Sequence, residues 1–153
     1  DGMLVYTADK NGEGDRYFCK DGKIQRESDD GSRDSRYPKE DDHELDVPLA
    51  VLVNGNSASA SEVFTGAVMD YDAGIVVGTT TFGKGIVQNL IPLGDGTAIK
   101  LTTAHYYTPN GFDLHGKGLE PDVVVEMDGE LQKKAVVELS EDNQLQAAIE
   151  AMN

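Results

Sequence analysis

Three serines, Ser57, Ser59 and Ser61, alternate with alanines where an apolar run gives way to the start of a helix. A hydroxyl at such a junction is held rigidly, and the unpaired N–H groups of the first helical turn can stabilise an oxyanion beside it. That is a position for a nucleophile. The same residues also read as a capping box, Ser59 being the N-cap and Glu62 its reciprocal partner, and they lack the flanking glycines of the GxSxG elbow. Further along, Lys84 stands between Gly83 and Gly85 amid apolar neighbours. An ordinary lysine, with a pKa of ~10.4, is protonated at neutral pH, and burial that lowers it toward ~7–8 makes it a usable base. The alternative is a lysine that extends its charge to solvent from a glycine-rich turn. Both readings of both residues stand at this point. Gln88 shares a face with Lys84 on an extended backbone, but full extension sets their Cα atoms ~13 Å apart, so cooperation requires a bend at Gly83 or Gly85.

Other candidates fall away. Residues 78–85 (GTTTFGKG) match the phosphate-loop pattern GxxxxGK, but Gly85 occupies the place of the Mg²⁺-binding hydroxyl, and the following IVQNL predicts a strand where a phosphate loop must open a helix. His43 lies in a charged stretch, while His105 and His115 lack metal-ligand spacing, so each reads as a surface or hydrogen-bonded histidine. One cysteine, Cys19, makes no internal disulfide, and no Cys/His cluster suggests zinc. Neither a metal nor a cofactor is expected.

The elements that must position these residues follow from the patterning. Pro48–Val53 is a continuous apolar run, the signature of a strand buried on both faces, and it stops at Asn54-Gly55-Asn56. A helix starts at the serine cluster, with Val63, Ala67, Val68 and Tyr71 at helical spacing. Ile75–Gly78 reads as a second buried strand, completing an α/β unit with a parallel crossover. Ile86–Leu93 and Ala98–Thr103 flank the hairpin turn Gly94-Asp95-Gly96, and Val123–Val125 forms a short strand. Residues 142–152 close the chain as an amphipathic helix with Leu145, Ala148, Ile149 and Met152 on one face. Near the start, Met3–Thr7 and Arg16–Cys19 form two strands around the turn Lys10-Asn11-Gly12. Residues 27–47 have almost nothing apolar to bury and are expected to form a mobile charged loop.

At 153 residues the chain suits one domain or a large piece of one. With 13 basic against 28 acidic side chains its net charge is -15, which argues against nucleic acid and disfavours anionic membrane surfaces as partners, because both call for clustered Lys and Arg. No run approaches the roughly 20 apolar residues of a spanning helix. No targeting signal is visible, and an opening strand without an initiator methionine suggests a piece of something longer.

Four blocks in order, NSASASEVFTGAVMDY, VVGTTTFGKGIVQ, LTTAHYYTPNG and GLEPDVVV, resemble the signatures of the carboxy-terminal processing, or tail-specific, serine proteases related to the tricorn core. The resemblance covers residues 48–125 closely and the rest loosely. It implies an α/β fold, a mixed β-sheet with flanking helices of the tricorn-core or crotonase-like kind, the chain being the C-terminal part of the catalytic domain without the family's PDZ domain. It implies a Ser/Lys dyad of Ser59 and Lys84, with Gln88 beside the lysine and the backbone N–H of Ala60 as one oxyanion donor. The substrate implied is an unstructured polypeptide tail cleaved through an acyl-enzyme, and the setting is extracytoplasmic, in a bacterial cell envelope or secreted. The upstream arginine and glycine pair that supplies the family's second oxyanion donor is not in this sequence, so activity is expected of the longer parent rather than of this piece. The competing readings are a noncatalytic polypeptide-binding module on the same fold and a non-peptidase acyl hydrolase.

Overall fold

The computed structural model describes residues 1–37 and 46–153. The chain opens with four strands, β1 (Gly2–Ala8), β2 (Asp15–Lys20), β3 (Lys23–Ser28) and β4 (Arg33–Tyr37), each antiparallel to the next. The turn between β1 and β2 is held by the Asp9 carboxylate, which accepts from the N–H groups of Asn11 (2.7 Å) and Glu13 (3.0 Å). The expectation of a loop over residues 27–47 is corrected for its first part, because β3 and β4 run to Tyr37 as a hairpin. These strands bury little, so apolar alternation does not betray them. Ladder hydrogen bonds and cross-strand ion pairs hold them instead: Arg33 lies directly opposite Glu27 and pairs with it at 2.9 Å, and Arg26 pairs with Asp15 at 2.8 Å. Residues 38–45, with His43, lie outside the described residues.

Next comes a parallel unit: β5 (Ala50–Val53), α1 (Ala60–Asp70) and β6 (Ile75–Gly78). The hairpin β7 (Ile86–Pro92) and β8 (Ala98–Tyr107) then returns to the first sheet, giving the order β4-β3-β2-β1-β8-β7. A short β9 (Val123–Val124) adds in parallel to β6, completing a second sheet of order β5-β6-β9. A single 3₁₀ turn at Leu131–Lys133 precedes the closing helix α2 (Asn143–Ala151), which packs on β5 and β6. The Asp142 side chain caps α2 through the N–H groups of Gln144 and Leu145. Among the described residues no helix is long and apolar enough to cross a membrane.

The core lies where α1 meets the parallel sheet, with Val53, Val68 and Val76 packed together and Leu49, Val51 and Met69 against them. Val76 and Val77 are fully buried, each contributing on the order of 1.5–3 kcal/mol by leaving water. Two expectations change here. The run at β5 predicts burial on both faces, but β5 is the edge of its sheet and Leu52 is 43% exposed. The face that α1 buries is Glu62, Thr65, Gly66 and Val68, while Val63 and Ala67 are half-buried and Tyr71 is exposed. Gly66 lets the helix approach closely, since a Cβ there would stand 2.8 Å from the Thr108 methyl. Tyr71, at the end of α1, ties the helix to the first sheet by donating its hydroxyl to the Met3 carbonyl at 3.0 Å.

Candidate active site

Ser59 occupies the turn between β5 and α1, and it is one of three non-glycine residues with positive φ among the described residues. At φ 57° and ψ -113° its backbone takes a conformation that suits glycine, at a cost on the order of 1–3 kcal/mol. Such strain persists only where the surroundings over-determine it. Here they do: the Ser59 N–H donates to Glu62 Oε2 at 2.9 Å, and the Ser59 carbonyl accepts from the N–H groups of Glu62 (2.9 Å) and Val63 (3.0 Å). The helix start is thus tied by the serine's backbone and by the reciprocal pairing of Ser59 with Glu62 across the first turn. The N–H of Ala60, first of the helix, has no intrahelical partner and donates to no protein group among the described residues.

Its neighbours are occupied differently. Ser57 Oγ accepts from the Asn54 N–H at 3.1 Å, and the Ser57 carbonyl accepts from the Phe82 N–H at 2.9 Å. Ser57 therefore shapes the turn, while Ser61 is exposed on the first turn of α1.

Residues 79–85 cross in front of this helix start without regular structure, and β7 follows them, so the phosphate-loop reading fails on topology. Their anchor is Glu62, which has no exposed surface. Oε1 accepts from the Thr81 hydroxyl and the Gly83 N–H, both at 2.6 Å, and Oε2 accepts from the N–H groups of Lys84 and Ser59, both at 2.9 Å. Four donors fill the acceptor sites of one carboxylate, which can bear burial on those terms. One side chain thereby fixes the backbones of the serine and the lysine against each other. Read from sequence, Glu62 is a cap; its other three partners lie 19–22 residues away and no local pattern announces them.

Glycines make the crossing possible. Gly83 has φ 83°, and a Cβ there would meet the N–H groups of Lys117 and Gly118 at 3.1 and 2.9 Å. Of the two glycines at which cooperation of Lys84 and Gln88 requires a bend, Gly83 takes the left-handed φ and Gly85 does not.

The side chains of the remaining candidates, Lys84 and Gln88, are exposed. Lys84 is exposed, which departs from the desolvated amine that a lysine base requires. Gln88 is exposed too, and its amide donates to Thr102 Oγ1 at 3.2 Å across the β7–β8 ladder rather than to Lys84. His105 and His115, unremarkable by spacing, meet edge to face with ring centroids 5.0 Å apart. Asp113 joins them: its Oδ2 lies 3.3 Å from His105 Nδ1, and its Oδ1 accepts from the His115 N–H at 3.0 Å. Partial burial works against ionisation of Asp113, but the His115 N–H, the His105 ring and the charge of Lys117 together hold its carboxyl below the usual range. No group of three or more such side chains among the described residues is arranged to hold a metal ion.

A family model described as peptidase family S41 matches residues 1–125. A carboxy-terminal-processing protease of Bartonella bacilliformis is 54% identical over 79 residues, which is 52% of this chain and 18% of that protein. A probable CtpA-like serine protease of Staphylococcus epidermidis is 52% identical over 80 residues, 52% of this chain and 16% of its own length. The matched stretch therefore spans less than a fifth of the length of these relatives. Among solved structures, a photosystem II D1 C-terminal processing protease superposes with a TM-score of 0.61 at 38% identity, over 82% of this chain and 28% of that one. A lipoprotein from Streptococcus agalactiae shares the fold at 17% identity, with a TM-score of 0.60 over 98% of this chain.

Proposed function

The chain belongs to peptidase family S41, and from that premise we propose that it is part of a serine peptidase that cleaves polypeptide chains near their C-terminal ends. Ser59 is the nucleophile and Lys84 the base. Lys84 Nζ, neutral, takes the proton from Ser59 Oγ as that oxygen adds to the scissile carbonyl carbon. The resulting ammonium then protonates the departing amine, the C–N bond breaks, and an ester to Ser59 remains. Lys84 next takes a proton from water, whose oxygen adds to the ester carbon; the bond from that carbon to Ser59 Oγ breaks, Lys84 returns the proton to Oγ, and the new carboxylic acid leaves. The Ala60 N–H donates to the oxyanion in both steps. Gln88 orients Lys84 once its amide leaves Thr102.

The observation that carries this reading is the shared carboxylate. Glu62 holds the Ser59 and Lys84 N–H groups on the same oxygen, so serine and lysine start from a fixed separation of their backbones. A lysine needs desolvation to act as a base, and Lys84 is exposed in this chain. The cover comes from bound polypeptide and from the parts of the parent that this chain does not span, a PDZ domain among them, in an extracytoplasmic setting.

The exposed Lys84 and the Gln88–Thr102 hydrogen bond favour one other reading, a polypeptide-binding module without catalysis. Turnover of an unstructured tail peptide by the intact parent separates the two. Loss of cleavage in both Ser59→Ala and Lys84→Ala, with unchanged circular dichroism, supports the peptidase; cleavage retained in both discards it.

A further inference from the structure

The carboxylate that joins Ser59 to Lys84 is itself held by a residue with no part in the chemistry. Thr81 is 5% exposed and its hydroxyl is used twice, donating to Glu62 Oε1 at 2.6 Å and accepting from the Leu119 N–H at 2.8 Å. Its backbone N–H donates to the Leu119 carbonyl at 3.1 Å, so Thr81 and Leu119 are bound reciprocally. The loop that leads into Leu119 presses on the lysine segment from the far side. The Gly116 N–H donates to the Gly83 carbonyl at 2.9 Å, and Gly118, with φ 73°, packs so closely that a Cβ would stand 2.3 Å from the Thr81 carbonyl. The lysine segment is therefore clasped between Glu62 on α1 and the 113–119 loop, and the Thr81 hydroxyl touches both.

Resting on the reading of Ser59 and Lys84 as nucleophile and base, we propose that Thr81 is a positioning residue for the reaction. Its hydroxyl, with the Gly83 N–H, pins Oε1 and so fixes the plane of the Glu62 carboxylate. Only in that plane does Oε2 meet the Ser59 and Lys84 N–H groups at once. Without the hydroxyl, Oε1 keeps one donor, the Leu119 N–H is left buried without an acceptor, and the carboxylate is free to turn. The lysine then loses its set distance from the serine while the surface that receives the substrate chain is untouched. The consequence falls on kcat rather than on KM.

The test uses the intact parent with an unstructured tail peptide, comparing wild type, Thr81→Val, Thr81→Ser and Ser59→Ala. Thr81→Val is expected to lower kcat roughly ten- to a hundredfold with KM within about threefold of wild type, because displacement of a reacting group by about 1 Å costs up to ~10²-fold. Thr81→Ser, which keeps the hydroxyl, is expected to retain kcat within about threefold. Unchanged kcat in Thr81→Val, a loss confined to KM, or a serine variant as impaired as the valine variant overturns the proposal. Should Thr81→Val fail to fold, Thr81→Ala, which introduces no new contact, is judged by the same criteria, and a tenfold fall in kcat for Thr81→Ser overturns the proposal by itself. Turnover that survives Ser59→Ala instead removes the reading of the site on which the proposal rests, whatever Thr81 does.

Discussion

Replacing Glu62 by glutamine leaves shape and volume almost unchanged and removes half of the acceptor capacity. In the wild type two donors converge on each carboxylate oxygen: Thr81 and Gly83 on Oε1, Ser59 and Lys84 on Oε2. An amide offers one oxygen and one NH₂. With the oxygen toward Thr81 and Gly83, the NH₂ faces two N–H groups; with the amide flipped, it faces the Gly83 N–H and a hydroxyl already accepting from Leu119. In either orientation at least one backbone N–H is left without a partner at a fully buried side chain. A hydrogen bond to a charged group contributes about 1.5–3 kcal/mol and an orphaned buried donor costs about 1–3 kcal/mol, so Glu62→Gln should destabilise the chain by roughly 2–5 kcal/mol. That is a large share of the typical 5–15 kcal/mol total, and for a domain of this size corresponds to a fall in Tm of roughly 6–15 °C. Urea unfolding of the 153-residue chain measures it, with a lowered midpoint at unchanged slope as the expected result. A Glu62→Gln midpoint equal to that of wild type would refute the reasoning, because it would mean that the four donors do not depend on that carboxylate.

Further predictions concern backbone and charge. Ser59→Gly and Ser59→Ala both remove the hydroxyl, but only glycine relieves the strain at φ 57°, so the glycine variant should be the more stable by about 1 kcal/mol in urea unfolding. Gly78→Ala should abolish the native fold as read by near-ultraviolet circular dichroism. Its φ is 134° and its Cβ would stand 1.9 Å from the Val53 carbonyl oxygen, an overlap between paired strands costing more than about 3 kcal/mol. The Asp113 carboxyl is held below the usual carboxylate range in the folded state, so its contribution to stability is present above the ordinary aspartate range and is lost as the pH falls through the folded value. The urea midpoint of wild type should accordingly exceed that of Asp113→Asn at about pH 5, and the gap should narrow as the pH is lowered below the ordinary aspartate range of about 3.9; a gap that does not change with pH counts against the role given to that carboxyl.

The parts of the fold legible in the sequence are those where burial and periodicity coincide. Ile75–Gly78 is buried as its apolar run predicts, α1 begins at the serine cluster, and β7–β8 turn at Gly94-Asp95-Gly96. Where stability comes from partners distant in sequence, the pattern is silent. Arg33 and Glu27 pair across a hairpin of mostly polar residues, and an apolar count reads that stretch as loop. On α1 the apolar residues mark the buried face only in part, Val68 lying in the core and Tyr71 exposed, because the helix turns a fully satisfied carboxylate inward and a buried Glu62 adds nothing to hydrophobic periodicity. At the site, residue type and family resemblance point to Ser59, Ala60 and Lys84, whose roles are those proposed above. The clasp of Glu62, Thr81 and Leu119 was not legible, since its bonds span 19–38 residues. The exposure of Lys84 and the turn of Gln88 toward Thr102 depend on what surrounds them in space, which no spacing along the chain records.

The central claim is that Lys84 activates Ser59. Treating the intact parent with a fluorophosphonate probe and locating the adduct by peptide mass spectrometry tests it directly, in wild type and in Lys84→Ala. The account predicts phosphonylation of Ser59 in the wild type and its loss in the lysine variant. An adduct on another residue, or equal labelling of Ser59 without the lysine, would contradict it.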